Sequence, residues 1–320
     1  MRIAVYGAGG MAGSMGAKLW QAGHDLAIIA RGEHLKAIQQ GGLQIEFRDG
    51  GGFTVKPRMT SDDPSKVGEV DLVILGVKAW QVPDAARALL PMVGPETRVM
   101  TIQNGVEAPY QVAEVVPPER VIAGVMMDGG TVTRPGVMRT TKPNSVTWDS
   151  FIGQLAPKGA GCTPAVARVQ EALRGAGYRI VVPEDISTPL WTKFVPYASI
   201  SGVASLCRAP AGAWRSRTET RQLMRQATLE GIAVGNAQGS TLGGEAIQFA
   251  EEFIDGVSAS FFNSTTRDFL AGRPSELEAF VGAIVRLGRG AGVPTPVNDF
   301  IYAALLPQEL KARGQIAWPE

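Results

Sequence analysis

The chemically equipped residues of this 320-residue chain are a glycine loop and a few polar side chains at the ends of apolar runs. Gly7-Ala8-Gly9-Gly10-Met11-Ala12-Gly13 follows the apolar run Arg2–Tyr6 directly and has the form G-x-G-x-x-A. In such a loop the first glycine permits a tight turn and the second lets backbone approach a pyrophosphate. The small residue at the end keeps the following helix close to its strand, and the helix N-terminus attracts the anion. Gly7, Gly9, Gly10, Met11 and Ala12 are therefore expected to form a dinucleotide cradle, with a plain glycine turn as the alternative. The next strand ends in Ala30-Arg31-Gly32, where an NAD-type site would carry Asp or Glu. An acid would repel a ribose 2′-phosphate, whereas a guanidinium grips it with paired hydrogen bonds. Arg31 thus favours NADPH over NADH; the alternative is a solvated loop arginine. Lys78 follows Leu75-Gly76-Val77, and Asn104 lies in Ile102-Gln103-Asn104-Gly105. Both fall at carboxyl ends of strands, the binding edge of an open α/β sheet. Lys78 can neutralise phosphate and Asn104 can hydrogen-bond a ribose or a substrate carbonyl. The plainer readings are a helix-start lysine and a turn residue before glycine.

Hydride transfer to a ketone builds negative charge on oxygen, so a proton donor must stand beside it. His24 and His34 are the only histidines. One sits at a helix end and the other just past the adenine-side loop, so neither suits the role. Lys193 lies in the mainly apolar stretch Pro189-Leu190-Trp191-Thr192-Lys193-Phe194-Val195. A lysine among apolar residues has its charged form destabilised and its pKa lowered, which suits a general acid. The competing reading is a lysine that snorkels to water. Glu276 follows Arg273-Pro274-Ser275, and the Ser275/Glu278 pair reads as a capping box that starts a helix. There Glu276 either reaches the cofactor or merely favours the helix dipole. Ser264, in Asn263-Ser264-Thr265-Thr266, is a carboxylate ligand or a cap.

These residues need a scaffold of alternating elements. Buried-strand patterns recur at Arg2–Tyr6, Asp25–Ala30, Asp71–Val77, Arg98–Ile102 and Val121–Met126, with a last one at Tyr178–Val182. Helical stretches at Met11–Gln21 and Ala165–Gly175 belong with them, and the glycine-rich 41–52 stretch fits a hairpin or loop. The expected fold class is α/β, with an N-terminal doubly wound parallel sheet. After about Asp185 strand signals fade and helical patterns take over at 189–205, 218–237, 244–253, 275–290 and 297–306. The expected division is residues 1–185 for NADP(H) binding and 186–320 for an all-helical substrate and dimerisation domain. Composition agrees with two globular domains: 45% of residues are hydrophobic and 19% charged. Basic and acidic side chains balance at 31 against 30, which argues against a nucleic-acid or anionic-membrane partner. Two distant cysteines and two histidines leave no basis for a disulfide scaffold or a metal cluster, and they fit a cytoplasmic location. No apolar run approaches the roughly 20 residues of a membrane span.

Taken together, these stretches resemble the ketopantoate reductase (2-dehydropantoate 2-reductase) family over essentially the full length. The resemblance is carried by Gly7–Gly13, Ala30-Arg31-Gly32-Glu33-His34-Leu35, Val77-Lys78-Ala79-Trp80-Gln81 and Ile102–Glu107. Leu190-Trp191-Thr192-Lys193, Arg208-Ala209-Pro210, Ala271–Leu277 and Gly292-Val293-Pro294-Thr295-Pro296 complete it. It implies a Rossmann domain, a helical domain, substrate bound between them, and NADPH-dependent reduction of a 2-oxo acid in pantothenate biosynthesis. It makes Lys193 the general acid and Asn104 a contact to both cofactor and substrate. The glycine loop, Arg31 and Lys78 become the phosphate sites, Gly129 a backbone contact, Glu276 a ribose contact and Ser264 the carboxylate ligand. A homodimer is a candidate assembly.

Where the family has asparagine four and eight residues after the lysine, this chain has Tyr197 and Ser201. The stretch Asp128-Gly129-Gly130 is also unusual, and Pro196 is expected to kink the lysine helix. The cofactor site is thus closer to the family pattern than the substrate pocket, where Tyr197 and Ser201 are expected to face the substrate. Alternatives are a hydroxyacid or opine-type dehydrogenase of the same architecture, and a redox-sensing protein that binds NADPH without turnover.

Overall fold

The computed structural model describes residues 1–145 and 148–318. The chain forms two compact units, one of residues 1–103 with 108–186 and one of residues 104–107 with 187–320.

In the first unit, β1 (Arg2–Tyr6) leads through the glycine loop into α1 (Gly10–Gln21), β2 (Asp25–Ile29) and α2 (Gly32–Gly41). A hairpin of β3 (Leu43–Phe47) and β4 (Gly52–Val55) occupies the glycine-rich stretch, followed by β5 (Met59–Ser61). Then come β6 (Val70–Leu75), α3 (Val82–Ala88), β7 (Val93–Thr101), α4 (Ala108–Ala113) and β8 (Val121–Val125). The unit closes with β9 (Thr131–Arg134), β10 (Val137–Thr140), β11 (Ser150–Gln154), α5 (Pro164–Gly175) and β12 (Ile180–Val181). The main sheet has eight strands in the order β12-β11-β8-β7-β6-β1-β2-β5. From β8 to β5 all pairings are parallel, and β11 joins β8 antiparallel. The chain leaves β1 toward β2 and returns across it to β6. The carboxyl ends of β1 and β6 therefore flank the switch point where ligands bind in such sheets.

The central strands are apolar throughout because helices cover both faces. Ile3, Val5, Ile28, Leu72 and Ile74 enter one core with Met15 and Leu19 of α1. Their alternating neighbours Ala4, Tyr6, Ala27, Val73 and Leu75 enter another with Val82 and Val112. A second sheet, β4-β3-β10-β9, was not expected from the sequence. It covers the far side of α1: Met138 of β10 closes on Gly13, where a Cβ would lie 2.1 Å from its Cε. Trp20 stacks on Phe53 at 6.4 Å.

The second unit consists of α6 (Ser187–Cys207), α7 (Ala211–Arg215), α8 (Thr218–Ala237), α9 (Gly244–Gly256), α10 (Ser264–Leu270), α11 (Val281–Ala291) and α12 (Pro296–Ala312). α6 is buried on nearly every side, as a helix apolar all round should be. Pro196 lies inside it, and the helix continues on both sides. The expected helix start at Ser275 is corrected: residues 276–280 form turns, and α11 begins at Val281. The Ser275 hydroxyl donates to the buried Glu309 carboxylate at 2.5 Å, while Glu278 accepts from Tyr302 and Arg286. The Ser275 hydroxyl also accepts from the Leu277 N–H at 3.2 Å, so Ser275 caps the turn, but the reciprocal half is missing because Glu309, not Glu278, takes the Ser275 N–H. Among the described residues no helix is long and apolar enough to cross a membrane, and no cluster of His, Cys, Asp and Glu could hold a metal.

Candidate active site

Gly7 leaves β1 with φ +87°, a conformation that costs other residues a Cβ clash, and its N–H donates to Ile29 O of β2. A Cβ on Gly7 would also stand 2.8 Å from Val77 Cγ1. Gly10 is pinned from another direction, since a Cβ there would lie 2.1 Å from the Gly130 carbonyl oxygen. Gly9 differs: a Cβ on it would meet nothing closer than Gly76 O at 3.5 Å, an ordinary contact. The protein's own packing does not demand glycine at that position, whereas a phosphate resting on the backbone would. Gly9 is also the N-cap of α1, with no capping side chain and no acid in the first turn. The first N–H groups of that helix therefore point, with its positive dipole end, toward the carboxyl edge of the sheet. This loop fits a dinucleotide pyrophosphate.

Around it, Arg31 is exposed at the N-cap of α2, directly past the end of β2. Lys78 is half-buried at the end of β6, with its Nζ 5.7 Å from the centre of the Trp80 ring. Gly129 lies against Met11, whose Cε would be 3.1 Å from a Cβ on it, so this distant residue stands at the glycine loop. His34 is structural: its Nδ1 accepts from the Gly136 N–H at 3.0 Å, and burial lowers its pKa.

Sequence reasoning missed the device that holds Gly129 and Gly130. Lys18 of α1 is buried and donates to Asp128 at 2.5 Å and to Thr141 at 3.3 Å. The Thr141 hydroxyl donates to the other Asp128 oxygen at 2.7 Å, and Lys18 sits 4.9 Å over the Tyr178 ring. The signal was present as a lysine inside the apolar stripe of α1 and an acid beside paired glycines. Nothing in the spacing joined two residues separated by 110 positions.

The other half of the chemistry lies in the helical unit. Lys193 is 8% exposed on α6, and its Nζ donates to Asn104 Oδ1 at 3.0 Å. Burial lowers its pKa from 10.5 to about 8. It is thus not a lysine that reaches open water. Gln103, just before Asn104, stitches the ends of β6 and β7 by donating to Leu75 O at 2.8 Å and Val77 O at 3.1 Å. Beyond Asn104, Glu107 accepts from Arg286 of α11 at 2.7 Å, which ties this short segment into the helical unit. With its carbonyl oxygen engaged by Lys193, Asn104 offers its amide N–H groups to a ligand.

Tyr197 follows Lys193 by one turn, its ring 5.4 Å from Lys193 Nζ. Ser201, one turn further, is 1% exposed and its Oγ lacks a protein partner. Glu276 is buried in the turn after Ser275. That turn is anchored by Glu309, another residue the sequence did not single out: it accepts from the Ser275 N–H with both oxygens at 3.1 Å. Arg313 completes the anchor, donating to Glu309 at 2.7 Å and to Ser275 O at 3.0 Å. Ser264 is half-buried as the first residue of α10, but the cap is Asn263, whose side chain accepts from the Thr266 N–H at 2.8 Å. The structure therefore brings Lys193, Asn104 and Tyr197 together, and groups the glycine loop with Met11 and Gly129.

Comparison with known proteins bears on the family and the fold. Residues 3–153 match the family model "Ketopantoate reductase PanE/ApbA", and residues 185–309 match its C-terminal counterpart. A 2-dehydropantoate 2-reductase from Mesorhizobium japonicum is 29% identical over 95% of this chain and 96% of its own length. The crystal structure of a PanE/ApbA family ketopantoate reductase from Ralstonia eutropha JMP134 superposes with a TM-score of 0.87 at 26% identity, covering 98% of this chain and 100% of that one. A D-mandelate dehydrogenase structure with NADH and anilino(oxo)acetate shares the fold, with a TM-score of 0.87 at 22% identity, covering 98% of this chain and 99% of that one.

Proposed function

The chain belongs to the ketopantoate reductase family, and we propose that it reduces the keto group of a 2-oxo acid, 2-dehydropantoate or a close relative, with NADPH. The observation that carries this reading is the buried Lys193–Asn104 pair at 3.0 Å. A nicotinamide, when bound, would supply the hydride that C2 of the acid takes up. Lys193 supplies the matching proton: its Nζ–H bond breaks as the O–H bond of the new hydroxyl forms, leaving a neutral amine that water reprotonates. A pKa of about 8 keeps most of the amine protonated near neutral pH while making the proton easier to give up than an ordinary lysine's. Asn104 aims the amine by accepting one of its hydrogens, and its N–H groups can hold the substrate oxygen or the ribose. Gly7, Gly9, Gly10, Met11 and Ala12, with Gly129 beside them, would carry the pyrophosphate, and Lys78 would neutralise it. Arg31 would take the 2′-phosphate, a role supported by the absence of an acid at the end of β2. Glu276, on its anchored turn, would meet the ribose, and Ser264 the substrate carboxylate.

The test is NADPH oxidation with ketopantoate, pyruvate and branched and aromatic 2-oxo acids, in the unmodified protein and in Lys193→Met. Turnover with at least one acid, falling roughly 10²–10⁴-fold in the variant, is expected. Cofactor binding without oxidation by any of them would instead mark a protein that holds NADPH without turnover.

A further inference from the structure

The Lys193 amine is buried, but the side chains just beyond it are not sealed. The Tyr197 ring lies 5.4 Å from Lys193 Nζ and 5.0 Å from the ring of Phe253 on α9, tilted by 39°. Phe249, one turn earlier on α9, stacks with Phe253 at 6.2 Å and 29°. All three rings are half-buried, so a row of partly exposed aromatic rings leads from Lys193 to α9, where Phe253 also rests on the core of the helical unit. Burial raises the Tyr197 pKa above the ordinary phenol value. The next polar group on this face of α6, the Ser201 hydroxyl, is 1% exposed. Gln248 and Glu252, also on α9, are exposed and bonded to each other at 2.8 Å.

A ketone oxygen that takes a proton from Lys193 must come within about 3 Å of its Nζ. A substituent on the same carbon can then reach the Tyr197 ring, whose centre is 5.4 Å from that nitrogen. Aromatic rings pair best with other rings, offset or edge-on, at centroid distances of about 4.5–7 Å. We propose that the Tyr197–Phe253–Phe249 row is a subsite for an aromatic side chain, so that this enzyme prefers 2-oxo acids carrying an aryl group on the keto carbon or one methylene from it. The inference rests on the reductase reading above and names the substrate class of the same site. An aliphatic hydroxyl in this position would face ring surface, which offers it one phenol at most.

The test compares kcat/KM for phenylpyruvate and phenylglyoxylate with that for ketopantoate and 2-oxoisovalerate, at saturating NADPH. At least one aryl acid is expected to exceed both aliphatic acids by tenfold or more. Phe253→Leu keeps apolar volume but removes the ring, and it should shrink the aryl-to-aliphatic ratio at least fivefold, mainly through KM. Phe253→Ala should shrink it further. Ketopantoate reduced better than either aryl acid would overturn the aryl subsite and leave the reductase reading standing. A ratio unchanged in both Phe253 variants would also overturn it. If no 2-oxo acid oxidises NADPH, the reductase reading fails and the subsite with it.

Discussion

Replacing Lys193 by methionine should remove activity and strengthen the fold, and the second effect can be worked out from its surroundings. The lysine is 8% exposed, and burial moves its pKa from 10.5 to about 8. A pKa that is lower in the folded state means that folding disfavours the charged form. Below the folded value the cost is present in full, and it disappears as pH rises from the folded pKa toward the unfolded one. At about 1.36 kcal/mol per pKa unit, the cost is about 3 kcal/mol near pH 7 and about 1.4 kcal/mol near pH 9.5. Methionine has similar reach and no charge. It forfeits the hydrogen bond to Asn104, which costs about 1 kcal/mol because half-buried Asn104 can turn to water. The variant should therefore gain about 2 kcal/mol near pH 7 and almost nothing near pH 9.5. Urea unfolding of both proteins at the two pH values measures this, and the pH-dependent difference of about 2 kcal/mol does not depend on how well methionine packs. A Lys193→Met protein that is less stable near pH 7, or whose advantage does not change with pH, would refute the argument that burial controls this amine.

The same lowered pKa sets the pH profile: kcat should fall as pH rises through about 8, because the proton to be delivered is then missing, and a flat profile to pH 10 would remove Lys193 from the proton step. NADPH should bind more tightly than NADH by about 1–3 kcal/mol, and Arg31→Asp should erase or invert that order; equal affinities in the unmodified protein, by titration calorimetry, would count against Arg31. Lys18→Met strands a buried Asp128 carboxylate and should cost about 3–5 kcal/mol of stability by urea unfolding, whereas Lys18→Met combined with Asp128→Leu should recover much of it. Loss equal to the sum of the two single changes would mean the pair does not act as a unit. Glu309→Gln weakens the anchor of the Ser275 turn and should raise KM for NADPH more than it lowers kcat if Glu276 meets the cofactor.

Local rules served where local forces decide. The strand–glycine loop–helix at residues 2–21 was legible because Gly7 and the apolar runs need no distant partner to define them. The change from strand to helix texture near Asp185 was legible for the same reason. The second sheet was not: β10 pairs in parallel with β3, across some ninety intervening residues, and its exposed partner β9 has no apolar face to betray it. The two-residue β12 and three-residue β5 are strands only because neighbours supply their hydrogen bonds. The Ser275/Glu278 pair misled because the distant Glu309 takes the Ser275 N–H that Glu278 would have accepted, a tertiary contact overriding a local motif. Lys193 could be picked from its apolar context, but its partner could not. Asn104 lies 89 residues away, and only the folded chain shows that they meet. The aromatic row had a visible member in Tyr197, while Phe249 and Phe253 read simply as the apolar stripe of an amphipathic helix.

The grouping of residues 104–107 with the helical unit bears on how this protein could be cut and recombined. A division at the obvious boundary, after Ile186, yields a C-terminal fragment that has Lys193 but not the oxygen it donates to. It would also lack Glu107, and so half of what Arg286 grips. The N-terminal fragment would keep the four residues as a foreign insert between β7 and α4. Chimeras that exchange whole units between relatives therefore inherit a mismatch unless residues 104–107 travel with the helices. In this chain the unit of exchange is discontinuous, and a single crossover anywhere between residues 104 and 193 would pair the lysine of one parent with the acceptor of the other.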